Sequence, residues 1–269
     1  MLVAAMTSFA AVGATTDSIG PIRFDHLSIE HGLSQSTVSS IFQDSRGFLW
    51  IGTEDGLNRF DGLRFQVFKH DPLDPRSIPG NFVWAIEEGP DGALWVATED
   101  GGVARLDRAT GAFQPIDLED DRAARTLHVD EGGTVWVGMR ASGVFRVDPS
   151  TGAVRSYRAG LDGLPDDHVY AIHRDPADRL WVGTDAGIVE YDAELDRFQL
   201  VHDPAAENGI GGPRVRSIMS DRAGNVWIGT YENGVSRIDP ASGRVRQYRN
   251  DPDVRSSLSH DRVRSVFED

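Results

Sequence analysis

Residues Asp44–Asp61 read DSRGFLWIGTEDGLNRFD, and the fold follows from how this stretch is parsed. Asp44-Ser45-Arg46-Gly47 is a turn, because Asp hydrogen-bonds its own backbone two residues on and Gly takes the left-handed position. Phe48–Gly52 is a β-rich strand, Glu54-Asp55-Gly56 turns the chain back, and Leu57–Phe60 is the next strand. Val38–Phe42 precedes the stretch as a first strand. Asp61-Gly62 and the alternating Arg64–Phe68 follow it as a last turn and a fourth strand. The unit is four antiparallel strands in sequence order.

The unit recurs. FLWIGT, ALWVAT, TVWVGM, RLWVGT and NVWIGT place Trp50, Trp95, Trp136, Trp181 and Trp227 at spacings of 45, 41, 45 and 46. Each is preceded by a similar strand (VSSIFQD, VWAIEEG, ARTLHVD, VYAIHRD, VRSIMSD), and a sixth copy, VRSVFED, opens at Val263. Such a period with four strands per unit predicts an all-β propeller: five full blades at about 36–69, 81–117, 123–158, 167–201 and 213–249, and the start of another at 261–269. Each sheet is apolar on both faces and must stack on neighbours to bury them. The repeated Trp is expected as a structural wedge between blades. The small residue two positions on (Gly52, Ala97, Gly138, Gly183, Gly229) lets backbones approach. Phe24–Ile29 reads as a stray outer strand. The blade count predicts an incomplete ring, an open arc or a strained closure, as in the N-terminal piece of a longer protein or a truncated gene product.

Composition narrows the function. Lys+Arg 27 against Asp+Glu 42 gives a net charge of −15, which argues against nucleic acid and anionic lipid as partners. With 26% charged and 39% hydrophobic residues, wholesale disorder is excluded. Absence of cysteine removes a disulfide scaffold, a Cys nucleophile and a thiolate metal site. Met1–Ala14, MLVAAMTSFAAVGA, is apolar and ends in an A-x-A-like Val12-Gly13-Ala14, the pattern of a secretory signal peptide without its basic start. It is shorter than the about 20 apolar residues of a membrane span.

The unit D-x-x-G-x-[LV]-W-[IV]-G-T-x-x-G-[LIV]-x-x-[FYLVI]-D resembles the two-component regulator propeller repeat, which Asp44–Asp61 matches throughout. His70–Val83, Asn250–Val263 and, more loosely, His202–Val215 resemble that family's loops between blades, and Phe24–Val38 its usual opening, so the resemblance covers residues 22–269. Gly89 for the first Asp, Asp178 for the turn Gly and Met139 for Thr are its departures. The resemblance implies the periplasmic sensor portion of a membrane-anchored histidine kinase or diguanylate cyclase, with further propeller blades and the signalling domain in the parent protein. No kinase or cyclase string occurs in these residues. A homodimer stays open.

A ligand is expected on the face shared by the strand-four-to-strand-one loops and the turns between strands two and three, since function concentrates on loops held by a rigid scaffold. The second position of strand one holds Ser39, Trp84, Arg125, Tyr170, Arg216 and Arg264, each beside a small residue. Rings and guanidinium groups at a channel mouth suit a small-molecule or oligosaccharide ligand, anionic ones included, by stacking and bidentate pairing. The alternative is that they pack between inner strands. Loop-tip Arg140, Tyr231 and Glu232 are second-tier candidates. No catalytic residue, metal site or cofactor is read. His128 and His173, in one column of adjacent blades, carry the alternative of a propeller lyase or hydrolase acting on a glycan or cyclic substrate. A protein-interaction platform is the third reading.

Overall fold

The computed structural model describes residues 26–118, 123–202 and 209–268. Residues 1–14, read above as a signal peptide, lie outside them. Twenty strands form five sheets of four, each in sequence order and antiparallel throughout. Blade one comprises β1 (Val38–Gln43), β2 (Leu49–Thr53), β3 (Gly56–Phe60) and β4 (Phe65–Phe68). Blade two comprises β5 (Val83–Glu88), β6 (Leu94–Thr98), β7 (Gly102–Asp107) and β8 (Ala112–Ile116). Blade three comprises β9 (Ala124–Val129), β10 (Val135–Met139), β11 (Val144–Asp148) and β12 (Ala153–Tyr157). Blade four comprises β13 (Val169–Arg174), β14 (Leu180–Thr184), β15 (Gly187–Asp192) and β16 (Arg197–His202). Blade five comprises β17 (Val215–Ser220), β18 (Val226–Thr230), β19 (Val235–Asp239) and β20 (Arg244–Tyr248).

Each blade packs its first strand on the first strand of the next, β1 on β5, β5 on β9, β9 on β13 and β13 on β17, so the first strands line the inner side. Trp50, Trp95, Trp136 and Trp181 are buried in the clusters between neighbouring blades, as the wedge role requires. Trp227, in blade five, is only part-buried. The small-residue column sets the blade spacing. A Cβ on Gly138 would stand 2.5 Å from both Thr126 of its own blade and Val169 of the next, and one on Gly183 would meet Val215 at 2.5 Å. Burial of this kind stabilises by about 25 cal/mol per Å² of apolar surface.

The aspartates at the first turn cap it as expected. Asp44 Oδ1 accepts the Arg46 and Phe48 amides at 3.0 and 2.9 Å, and Asp221 Oδ1 those of Ala223 and Asn225 at 3.0 and 2.8 Å. Asp178, standing where the other blades have Gly, takes φ +66°.

Two expectations are corrected. Phe24–Ile29 does not yield an outer strand over its described residues: Ile29–His31 is a 3-10 turn ended by left-handed Gly32, and His31 folds back on Ser28 instead of pairing along an edge. The sixth copy forms no strand among its described residues, because it has no sheet partner of its own. It is nevertheless seated like one: the Val263 amide donates to the Thr230 carbonyl at 2.9 Å, and Val263 lies over Gly229 as Val215 lies over Gly183.

Candidate functional site

The second residue of each first strand sits beside the turn between strands two and three. Backbone bonds join the two loop sets on one face, Glu99 N–H to the Phe82 carbonyl at 3.0 Å, Asp185 to His168 at 3.1 Å and Tyr231 to Arg214 at 3.0 Å. On that face the column condenses into an alternating ladder of rings and guanidinium groups. Phe82 stacks on Trp84 at 4.3 Å. Arg125 lies over Trp84 at 4.8 Å and over Tyr170 at 4.7 Å. Arg216 lies over Tyr170 at 3.6 Å and Tyr231 at 5.0 Å, and Arg262 covers Tyr231 at 4.6 Å. The geometry is that of cation–π contact, each worth about 0.5–2 kcal/mol according to exposure.

Carboxylates hold the ladder at two points. Glu99 accepts the Trp84 indole N–H and pairs with Arg140. Asp185 accepts the Tyr170 hydroxyl at 3.1 Å and stands 3.8 Å from Arg216. Asp185 Oδ1 and Arg216 Nε are nonetheless buried without a hydrogen bond. Arg125 is the exception: half-buried between two rings, it pairs with no carboxylate among the described residues. Burial lowers its pKa, against the opposing pull of Tyr170 and Glu99, yet guanidinium remains charged. A half-buried cation with no carboxylate in direct contact is costly, and an incoming anion relieves that cost.

Trp84, Arg125, Tyr170, Arg216 and Tyr231 are thus brought together, and Arg140 joins them through Glu99. Glu232 and Arg264 are exposed and stand apart from the ladder. Sequence reasoning passed over Phe82, Glu99, Asp185 and Arg262. Glu99 and Asp185 had a signal: they fill the position after strand two that Arg140 and Tyr231 fill in their blades.

Further along the same strands His128 Nδ1 hydrogen-bonds Glu87 Oε1 at 3.0 Å, and His173 Nε2 meets Ser220 Oγ at 2.9 Å. Each histidine has its own partner, and burial, reinforced by His128, lowers the His173 pKa. Among the described residues no cluster of His, Asp and Glu is arranged to hold a metal ion.

Five four-stranded sheets stacked through their first strands make the molecule a β-propeller in class. The sequence pattern described as "Two component regulator propeller" matches residues 32–55, 77–100, 163–186 and 209–232. Those four segments, at blades one, two, four and five, carry the repeat. The chain is 55% identical over 47 residues to Histidine kinase P4 of Formosa agariphila, 18% of this chain and 3% of that protein. Its fold is similar to the extracellular domain of BT3049 from B. thetaiotaomicron, assigned to a hybrid two component system, with TM-score 0.66 and 24% identity over 91% of this chain and 39% of that one. Virginiamycin B lyase from Staphylococcus aureus shares the fold at TM-score 0.62 and 15% identity, over 78% of this chain and 69% of the lyase. The chain therefore spans well under half the length of the two-component relatives it matches.

Proposed function

We propose that this propeller is an extracytoplasmic ligand-sensing module of a two-component-type receptor, and that its ligand docks on the ring–guanidinium ladder. One observation carries the reading: Arg125 is clamped between Trp84 and Tyr170 with no carboxylate partner. Such a site favours an acidic small molecule or oligosaccharide, whose rings or apolar faces stack while its anion meets guanidinium. The kinship with extracellular domains of two-component systems supports a location outside the cytoplasm and a membrane-anchored output domain in the parent protein. In a thermal-shift screen with acidic oligosaccharides, a hit should raise the melting temperature of the native chain and fail to raise that of Arg125→Ala. A hit that stabilises both equally would remove the ladder from the reading.

The lyase or hydrolase reading has one observation behind it. His128 Nδ1 lies 3.0 Å from Glu87 Oε1 while its buried Nε2 has no hydrogen-bond partner, a carboxylate–imidazole pair of the kind used in general acid–base catalysis. Turnover of a bound ligand that disappears in His128→Ala would replace sensing with catalysis.

A further inference from the structure

Along its middle the ladder is already stacked. Trp84 has Phe82 on it at 4.3 Å and Arg125 at 4.8 Å. Tyr170 has Arg125 at 4.7 Å and Arg216 at 3.6 Å. Tyr231 has Arg262 at 4.6 Å, Arg216 at 5.0 Å and Arg214 at 5.8 Å. Each of these three rings is covered by at least two neighbours. Of the four rings only Phe82, half-buried, touches a single ladder partner. A ligand ring therefore finds room to stack at the Phe82 end. Elsewhere it meets the row through the N–H edges of the guanidinium groups, which stay free for acceptors when the planes are stacked.

Those edges come at intervals and are short of counter-charge. Arg125, Arg216 and Arg262 stand one ring apart from one another. With Arg140 and Arg214 on the flanks, five guanidinium groups share this face. Among the described residues two carboxylates come within 4.0 Å of them. Glu99 is engaged by Arg140 and the Trp84 indole. Asp185 gives one oxygen to the Tyr170 hydroxyl. Its other oxygen stands 3.8 Å from Arg216 and 4.0 Å from Arg214, too far to hydrogen-bond either. No carboxylate touches Arg125 or Arg262. In a chain of net charge −15, this row reverses the sign locally. The row also meets solvent: Arg262 is exposed, the Arg214 and Arg216 side chains are 48% and 23% exposed, and Arg125 is half-buried.

The chemistry of the ligand follows. A single acid compensates one guanidinium or two neighbours and leaves the rest of the row as it was. A chain with an acid group on successive units compensates the whole row, and each added contact is made at high effective concentration. A nucleic-acid strand is disfavoured, because its bases need open ring faces and its phosphates need a basic protein. Sugar units carry acid groups without needing a stacking platform at every step.

Taking the ladder as the ligand site, we infer that its ligand is a linear acidic oligosaccharide laid lengthwise from Phe82, ahead of blade two, to Arg262, beyond blade five. Successive carboxylates or sulfates meet Arg125, Arg216 and Arg262, and a sugar ring stacks on Phe82. Arg262 is thereby assigned to the site as its far charged contact.

The test is calorimetric titration of the whole chain with short and long acids. Oligogalacturonates of one and six residues and chondroitin sulfate fragments of two and six residues supply the two series. Maltohexaose is the neutral control and a thymidylate hexamer the nucleic-acid control. In at least one series affinity should rise about tenfold or more from short to long, with neither control binding comparably. Arg262→Gln should weaken the long acid about fivefold, reduce its salt slope by about one, and leave the short acid held by Arg125 unaffected. Arg262 is exposed, so an unchanged melting temperature certifies the fold of that variant. The proposal is overturned if length adds nothing in either series, if the folded Arg262→Gln variant binds the long acid as the native chain does, or if either control matches the acid hexamers. Short acids that still bind and are lost in Arg125→Ala would then leave the ladder standing as a site for single acids. Absence of binding by every acid would remove the ladder along with the lengthwise ligand.

Discussion

The junctions between blades one and two and between blades three and four are built on one backbone plan and finished differently. In the first, Arg108 sits with 9% of its side chain exposed between Asp44 and Glu88, 1% and 11% exposed, and the Trp50 indole donates to Asp44. In the second, Ala193 stands in the place of Arg108 and Thr134 in the place of Phe48, a cleft stays open, and the Trp136 indole N–H is buried without a hydrogen-bond partner. The contrast teaches that repetition fixes where a crevice lies between blades, and side-chain length decides whether it stays open.

The contrast breaks most sharply at Arg108. Replacing it with Met keeps the hydrophobic stem but takes the guanidinium from two largely buried carboxylates, which keep only their amide, indole and hydroxyl donors, for an expected loss of about 2–4 kcal/mol. In the open junction Arg174 pairs with Asp178, which is 85% exposed, and stands 3.7 Å from Asp130, so Arg174→Met should cost about 1 kcal/mol. Urea unfolding of the two variants measures the difference, and equal losses would erase the distinction drawn between the junctions.

A smaller effect separates the tryptophans. Trp181→Phe deprives Asp175 of a buried donor and should cost about 1–2 kcal/mol more than Trp136→Phe, which removes an N–H that bonds to nothing. Since both exchanges shed the same ring atoms, the comparison isolates the bond. Equal urea midpoints at unchanged slope would show that the indole bond contributes nothing.

The smallest effect is in acid. Burial works to raise the pKa of Asp175, but the Arg179 amide, the Trp181 indole and the Arg179 guanidinium outweigh it and hold the carboxyl below its ordinary value. The folded state therefore binds that proton less readily than the unfolded chain. The resulting stability is present above the ordinary aspartate pKa, near 3.9, and is lost as pH falls through the lower folded value. Asp175→Asn should be less stable than the native chain at neutral pH and converge on it below about pH 4. A gap that persists undiminished into acid would assign the loss to packing instead.

Much of this was legible beforehand because it is written five times over. The tryptophan period and the column of small residues recur in every blade, the turn residues in all but Gly89 and Asp178, and the four strands traced over Val38–Phe68 start and stop within a residue of those observed. The ladder was visible as a column of rings and arginines, because residues in one column of consecutive blades meet across the inner strands. Its carboxylates were hidden by their ordinariness, Glu99 and Asp185 being two acidic residues among 42. Phe24–Ile29 misled because a β-rich composition does not supply a pairing partner. The open cleft was the least legible feature. It depends on what Thr134 and Ala193, almost 60 residues apart, fail to reach, and on Asp130 turning toward a neighbour's arginine.

The missing methyl at Gly138 and Gly183 has a consequence for how such a molecule grows. Where the gauge between modules is set by main chain, a copied module arrives with a seat that already fits. A lineage can lengthen by gene duplication without inventing a new joint, and the side chains fringing each crevice stay free to diverge toward separate tasks.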